Sequence, residues 1–172
     1  MTKHDIILVD ENNIETGTGE KMDVHKKGLL HRAFSVLVFN MHKELLLQQR
    51  ALSKYHSPGL WTNTCCSHPL PGEESLDAAH RRLIEEMGFD CELEWEFNFI
   101  YKAEFNNGLT EHEFDQVYIG KYDGIPVINS EEVEDYKWVS LPWLKREISG
   151  NPDQFTVWFK HVIEIYFKKA EI

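Results

Sequence analysis

The segment Ser67–Phe89, SHPLPGEESLDAAHRRLIEEMGF, changes character halfway along its length. Its first part is rich in proline and glycine, which is typical of a turn or loop. In its second part, apolar residues recur at the spacing of one helix face: Leu76, Ala79, Leu83 and Met87. Gly88 follows at a place where a left-handed residue commonly ends a helix. The segment therefore predicts a loop followed by a helix of about three turns.

Strands are predicted on the N-terminal side of this helix. Asp5–Asp10 is a short apolar run, and the small polar residues of Thr16–Gly19 predict a turn or loop. The next ordered segment is expected to begin near residue 33. Ala33–Phe39 and Glu44–Gln49 are apolar or β-branched with a short polar loop between them, which predicts a hairpin. Trp61–Cys66 is predicted to be one further short strand.

Strands and a helix are also predicted on the C-terminal side. Glu92–Phe105 and Glu111–Tyr122 alternate in hydrophobicity and are joined by an Asn-Asn-Gly turn, which strongly favours a hairpin. Asp135–Val139 predicts a last strand. An amphipathic helix follows, with Asn151 expected as its N-cap and Pro152 as its first residue. Its apolar stripe consists of Phe155, Trp158, Phe159, Val162, Ile163, Tyr166 and Phe167. The pattern predicts an α/β fold, a mixed sheet flanked by helices.

Composition and charge exclude several classes of protein. The 172 residues include 18 Lys and Arg against 29 Asp and Glu, a formal net charge of -11. Nucleic acids and anionic membranes attract surplus basic residues, so neither is expected as the main partner. The length predicts one domain over residues 1–172. Sparse cysteines and a charged N-terminus fit neither a disulfide framework nor a signal peptide, so a soluble, cytoplasmic protein is expected.

The first segment also resembles the Nudix box, a loop-helix-loop that binds a divalent metal and a diphosphate. The matching positions are Glu73, Arg81, Glu85, Glu86 and Gly88. Two positions depart: Ser67 replaces a glycine, and Arg82 replaces a glutamate that helps hydrolysing members hold metal and activate water. Fewer carboxylates hold fewer hard cations, which disfavours hydrolysis. Without the resemblance, Arg81–Glu85 and Arg82–Glu86 are ordinary i,i+4 ion pairs on an exposed face.

Motifs along the rest of the chain resemble those of type I isopentenyl-diphosphate isomerases, a family with the Nudix fold. In order they are Gly19-Glu20-Lys21, Arg50-Ala51-Leu52-Ser53-Lys54, the stretch Trp61–Pro69, Glu111-His112-Glu113 and Phe155-x-x-Trp158. Several separated motifs in order are more specific than one box. The resemblance spans roughly residues 5 to 168. It implies the interconversion of isopentenyl and dimethylallyl diphosphate in isoprenoid biosynthesis.

By this resemblance Cys66 and Glu113 are the catalytic pair, and Tyr101 hydrogen-bonds the catalytic carboxyl group. Shifting the double bond of an unactivated alkene needs a proton donor at one carbon and an acceptor at another. A thiol near a metal or a cation has a lowered pKa, and a carboxyl group of shifted pKa can make the opposite transfer. From the residues alone, Cys66 can also be a small buried apolar residue. Cys65 is interpreted as structural.

Two carboxylates and three histidines are candidate metal ligands. Glu111 and Glu113 are two positions apart in a predicted strand, so both project from one face, as solvated strand residues also do. With His25, His31 and His68, expected in loops, they suit Mn²⁺, Zn²⁺ or Fe²⁺. The resemblance implies one tightly bound transition metal there, although five residues separate His25 from His31 where the family has six. The other histidines are interpreted as surface or packing residues: His4, His42, His56, His80, His112 and His161.

A diphosphate site with Mg²⁺ is implied as well. Glu86 and the backbone carbonyl of Cys66 match the family's Mg²⁺ ligands. Four basic residues match the family's diphosphate ligands: Lys21, Arg50, Lys54 and Arg82. Without the resemblance, they would be interpreted as solvated surface charges. Trp61 is expected to present its ring face to a carbocation. Trp158 is assigned to the substrate pocket, although its place on the apolar stripe also suits core packing.

Two other functions are open to the sequence. One is a Nudix hydrolase of a nucleoside diphosphate derivative, disfavoured by Arg82 and by the thiol and histidines outside the box. The other is a non-catalytic domain that binds zinc through Cys65, Cys66 and His68. Closed zinc sites usually have a second Cys or His pair at short spacing, and none follows in the sequence.

Overall fold

The computed structural model describes residues 5–172, so His4 lies outside the described part of the chain. Within that part, nine strands form one mixed sheet, and four α-helices accompany it. The strands are β1 Asp5–Val9, β2 Glu15–Glu20, β3 His31–Phe39, β4 Glu44–Arg50, β5 Trp61–Thr62, β6 Cys65–Ser67, β7 Leu93–Glu104, β8 Thr110–Lys121 and β9 Val133–Ser140. The helices are α1 Lys21–Lys27, α2 Ser75–Met87, α3 Leu141–Gly150 and α4 Val157–Lys169. The predicted α/β class is confirmed.

Strand β3 lies at the centre of the sheet. It pairs in parallel with β8 and antiparallel with β6 and β1. Ala33–Phe39 is buried throughout, because one face of the strand packs with residues of α4 and the other with residues of α2. A strand covered on both faces needs a nearly continuous apolar sequence, and this one has it.

The predicted helix after the Pro/Gly-rich loop is α2. Ala79, Leu83 and Met87 face the core with strands β3 and β6, whereas Leu76 is largely exposed. Gly88 ends the helix in the left-handed region, with φ 72°. A Cβ at this position would lie 2.3 Å from the carbonyl oxygen of Val127. Glycine is therefore required here both by the backbone angle and by the neighbouring chain.

Two predictions on the N-terminal side are wrong in detail. The segment predicted as a turn, Thr16–Gly19, belongs to β2, which pairs with β1. Pairing with the apolar strand β1 overrides the low strand propensity of its glycines. Ordered structure also begins well before residue 33, because α1 follows β2 directly. Gly19 permits this, since a Cβ there would lie 2.6 Å from the Val24 side chain.

The predicted hairpin and the strand after it also differ from expectation. Strands β3 and β4 pair only at Phe39 and Leu45, because β4 diverges to pair with β9 and β5. Trp61–Cys66 is two strands: β5 joins β4, and β6 joins β3. Asn63 lies between them and donates to the carbonyl oxygens of Cys65 and Val36 at 2.7 and 3.3 Å. This side chain stabilises the crossing from one strand to the other.

The C-terminal half follows the predicted order. Strands β7 and β8 form the expected hairpin, and β9 covers the predicted last strand. The last helix begins later than predicted, because residues Pro152–Gln154 form a 3-10 turn and Thr156 is the N-cap of α4. The Thr156 hydroxyl accepts from the Phe159 amide at 3.4 Å. No described helix has the length and apolar character needed to span a membrane.

Candidate active site

A cavity of about 80 Å³ contains most of the predicted site residues. It is lined by Lys21, Gln48, Arg50, Lys54, Tyr55, His56, Cys66, Ser67, His68, Arg82, Glu86, Glu111, Glu113 and Trp158. Lys21, Lys54, His68 and Arg82 also line a broader groove of about 890 Å³. Three of the four predicted diphosphate ligands are thus shared by the cavity and the groove.

Three histidines and Glu111 converge beside this cavity. One ligand atom from each of His25, His31, His68 and Glu111 lies within 4.8 Å of every other. Nε2 of His25 lies 3.1 Å from Oε1 of Glu111. The expectation that these histidines lie in loops is wrong for two of them, since His25 is in α1 and His31 begins β3. The unusual spacing of His25 and His31 does not separate them, because their ring centroids are 4.9 Å apart.

Glu113, the fifth predicted ligand, lies beside this cluster but is not one of the four residues whose ligand atoms all converge. Parallel pairing of β3 with β8 places it opposite His31, and its Oε1 lies 3.6 Å from Nε2 of that residue. His68, directly after β6, approaches the same oxygen at 3.2 Å. The two carboxylates project from one face of β8, as their spacing predicts, and both are buried.

The cluster fits a divalent cation. Nδ1 of His25 lies 2.6 Å from the carbonyl oxygen of Lys21, and Nδ1 of His31 lies 2.8 Å from that of Leu29. Carbonyl oxygens only accept, so both Nδ1 atoms carry the proton and turn the Nε2 lone pairs toward the carboxylates. Nε2 of His31 and Oε2 of Glu111 are buried without a hydrogen-bond partner, 3.7 Å apart. A positive charge shared between this nitrogen and this oxygen would satisfy both atoms.

The pKa shifts of these residues also indicate that the cluster favours a bound positive charge. Burial by itself lowers the pKa of His31, but Glu111 and Glu113 outweigh burial and raise it to about 10. Burial acts to raise the pKa of Glu111, yet the neighbouring imidazoles of His25, His31 and His56 hold it well below its usual range. Burial and the charge of Glu111 raise the pKa of Glu113 well above its usual range. Such divergence between adjacent carboxyl groups is typical of acid–base sites.

Cys66 and Tyr101 approach the cluster from the flanking strands. Cys66 lies on β6 opposite Ser35 of β3, and Tyr101 on β7 opposite Glu113. Burial, aided by the Glu113 charge, raises the pKa of Tyr101 well above its usual range, so its hydroxyl is a donor. The lowered pKa expected for the Cys66 thiol is not found: burial raises it to about 12, and the cationic Arg50 opposes this only in part.

The two adjacent cysteines face opposite sides of the sheet. Cys66 lines the cavity, whereas Cys65 is fully buried in the apolar cluster against α2. Successive strand residues alternate in this way, so the two sulfurs point away from each other. The alternative zinc site formed by Cys65, Cys66 and His68 is therefore incompatible with the fold.

Helix α2 contributes the acidic and basic residues of the opposite wall. Arg82 contacts Glu85 and Glu86 at 2.6 Å and Glu132 at 3.3 Å, and Lys54 also pairs with Glu132. Arg82 is only 17% exposed, so the interpretation as an ordinary surface ion pair is wrong. The neighbouring Arg81 forms a two-point contact with Glu73 at 2.7 and 2.9 Å, and it also makes the predicted i,i+4 pair with Glu85 at 3.4 Å.

Gln48 and His56 line the cavity, although neither was predicted from the sequence as a site residue. The Gln48 amide donates to Oε2 of Glu86 at 2.8 Å, which fixes that carboxylate opposite Arg82. A polar residue within the apolar strand β4 was the available signal. His56, interpreted as a surface or packing residue, lies 3.1 Å from Oε1 of Glu111. No periodic pattern marks it, because it lies in the loop between β4 and β5.

The two predicted tryptophans have different positions. Trp158 of α4 is both a core residue and part of the cavity wall, with the Arg50 guanidinium 5.1 Å from its ring centre. Trp61 is not among the residues that line the cavity. The Lys137 ammonium group lies over its ring, 4.0 Å from the ring centre. Among the described histidines outside the cavity lining are His42, His80, His112 and His161.

Comparisons with known proteins agree with this fold. Residues 29–159 match the NUDIX domain model, so the chain is a Nudix-domain protein. It is 54% identical to isopentenyl-diphosphate Delta-isomerase 2 of Aromatoleum aromaticum, over 89% of this chain and 81% of that protein. It is also 54% identical to isopentenyl-diphosphate Delta-isomerase 2 of Photorhabdus laumondii, over 92% and 89%. The chain therefore belongs to the isopentenyl-diphosphate Delta-isomerase family.

A solved structure from Deinococcus radiodurans has a similar fold. It superposes with a TM-score of 0.71 at 19% identity, covering 86% of this chain and 90% of that one. At this identity the likeness concerns the fold alone. The predicted Nudix architecture, a mixed sheet with its loop-helix-loop, is thus confirmed.

Proposed function

We propose that this protein interconverts isopentenyl diphosphate and dimethylallyl diphosphate. The observation that carries the proposal is the placement of Cys66 and Glu113 in one buried cavity with a histidine–carboxylate cluster, in a chain about half identical to named isomerases. The substrate is accordingly a small diphosphate ester.

The proposed reaction is a proton addition followed by a proton loss. A proton is added to the terminal alkene carbon of isopentenyl diphosphate, which leaves a tertiary carbocation at the neighbouring carbon. Loss of a proton from the carbon on the other side of that cation places the double bond in its new position. Cys66 and Glu113 exchange these two protons, and their roles reverse with the direction of reaction. At the start of each turnover one of the two groups carries the proton that is added and the other lacks a proton and accepts the one that is lost.

Tyr101 and Trp158 support this chemistry in the proposal. The Tyr101 hydroxyl, opposite Glu113 in the sheet, hydrogen-bonds its carboxyl group and fixes its direction. The Trp158 ring forms an apolar wall that attracts a carbocation without adding to it. Trp61 is left out of this role, because its ring contacts Lys137.

Four basic residues bind the diphosphate in the proposal: Lys21, Arg50, Lys54 and Arg82. They supply local positive charge in a protein with net charge -11. Glu86 and the Cys66 carbonyl would hold Mg²⁺, which would supply positive charge beside the diphosphate. The cluster of His25, His31, His68, Glu111 and Glu113 would hold one tightly bound Mn²⁺, Zn²⁺ or Fe²⁺, which supplies positive charge beside the catalytic carboxyl. A cytoplasmic location and a single domain over residues 1–172 stay predictions.

The test is to supply the purified, metal-loaded protein with Mg²⁺ and isopentenyl diphosphate. We expect dimethylallyl diphosphate to accumulate without phosphate release. Isomerisation is followed by proton NMR, and phosphate release is measured in parallel on isoprenoid and nucleoside diphosphates. Rapid hydrolysis without isomerisation would favour the alternative, a Nudix hydrolase, and would refute the proposal.

A further inference from the structure

His56 is held in place on several sides. It is 7% exposed, and its ring stacks on Phe105 with centroids 5.2 Å apart and an interplanar angle of 16°. The same ring lies edge-on to Trp158 at 5.6 Å. Its backbone carbonyl accepts from the Arg50 guanidinium at 3.2 Å. The imidazole therefore has little freedom to leave the cavity wall.

The fixed ring aims one nitrogen at Glu111. Nε2 of His56 and Nε2 of His25 both lie 3.1 Å from the same oxygen, Oε1. Nδ1 of His25 faces a carbonyl oxygen, which can only accept, so Nδ1 is the donor and Nε2 is the atom directed at the ion site. Nδ1 of His56 instead faces the Ser57 hydroxyl at 3.5 Å, which leaves Nε2 free to carry the N–H. Of the two imidazoles, His56 is the hydrogen-bond donor to Glu111.

We propose that His56 is a positioning residue: its Nε2–H holds the Glu111 carboxylate against the three cluster histidines and thereby slows release of the divalent ion. The inference rests on the metal centre of the proposed function. The other oxygen of Glu111, Oε2, is buried and has no hydrogen-bond partner, so contacts at Oε1 fix the carboxylate. Loss of a donor to a ligating carboxylate typically costs about 10- to 100-fold in metal affinity.

Two variants separate the hydrogen bond from the packing. His56→Phe keeps a ring between Phe105 and Trp158 but has no donor, and His56→Gln keeps an N–H in nearly the position of Nε2. Each protein is loaded with Co²⁺, and its visible spectrum is followed after an excess of chelator is added. We expect His56→Phe to release Co²⁺ about 10-fold faster or more, and His56→Gln to stay within about threefold of the parent.

The outcomes distinguish this inference from the proposed function. Release of Co²⁺ by His56→Phe at the parent rate would overturn the role of His56, as would equally fast release by both variants. A parent that holds Co²⁺ but does not isomerise would refute the function, while the comparison of the variants would still decide the role of His56. A parent that binds no Co²⁺ would overturn both.

Discussion

Replacing each of the two adjacent cysteines by alanine should separate activity from stability. Cys66→Ala removes the thiol that lines the cavity, which in the proposal is one of the two groups that exchange protons with the substrate. General acid–base groups contribute up to about 10⁴-fold, so we expect kcat to fall by about that factor or more. Cys66 is partly exposed, so the melting temperature should change little.

Cys65→Ala is the matched control, one residue away on the other face of β6. Its sulfur is fully buried with Phe34 and Leu83, and its removal leaves a cavity of roughly one heavy atom, which costs about 1 kcal/mol. For a chain of this length, that loss lowers the melting temperature by about 2–4 °C. The kcat of Cys65→Ala should stay near that of the parent.

Proton NMR in D₂O measures both variants, because each turnover of the parent introduces solvent deuterium at the protonated carbon. Calorimetry gives the melting temperatures. A folded Cys66→Ala protein with kcat within about tenfold of the parent would refute the acid–base assignment. A large loss of kcat in Cys65→Ala would show that the wrong thiol was assigned.

Three further predictions concern the carboxyl, metal and diphosphate sites. Glu113→Gln should lower kcat by about 10²-fold or more in a protein that still melts cooperatively, and near-parent kcat would exclude Glu113 from proton transfer. His68→Ala should lose the tightly bound ion that metal analysis finds at about one per parent chain, and full occupancy would refute this ligand. Arg82→Ala should raise the KM for isopentenyl diphosphate by about 10- to 100-fold, the loss of one charged hydrogen bond, without phosphate release. Unchanged KM in the steady-state assay would exclude Arg82 from the diphosphate site.

Local patterns in the sequence determined the elements around the site. Helical spacing ending at Gly88 predicts α2, and the Asn-Asn-Gly turn predicts the β7–β8 hairpin. The two-residue spacing of Glu111 and Glu113 places both carboxylates on one strand face. Such features depend on residues only a few positions apart, so the local sequence is enough to predict them.

Other features depended on tertiary contacts. The strand β2 and the early end of the β3–β4 hairpin result from partners that the local sequence does not specify, namely β1, β9 and β5. The helix of His25 was missed for a related reason, because α1 is only seven residues long and packs closely over Gly19. Short elements gain most of their stability from packing, so their propensity predicts them poorly.

The resemblance to a family supplied the candidate site residues, but their assembly is a property of the fold. Parallel pairing of β3 with β8 sets His31 opposite Glu113, and no local periodicity encodes a contact between residues so far apart in sequence. The same assembly encloses Cys66 and Glu113, and burial raises the pKa values of both. Burial acts to lower the pKa of Arg82, but the carboxylates of Glu86 and Glu132 outweigh burial and raise that pKa. His56 joins the site only because its loop folds onto Phe105 and Trp158. The sequence by itself determined which chemical groups are present and the local elements that carry them, whereas distance, burial and charge coupling arise from non-local packing alone.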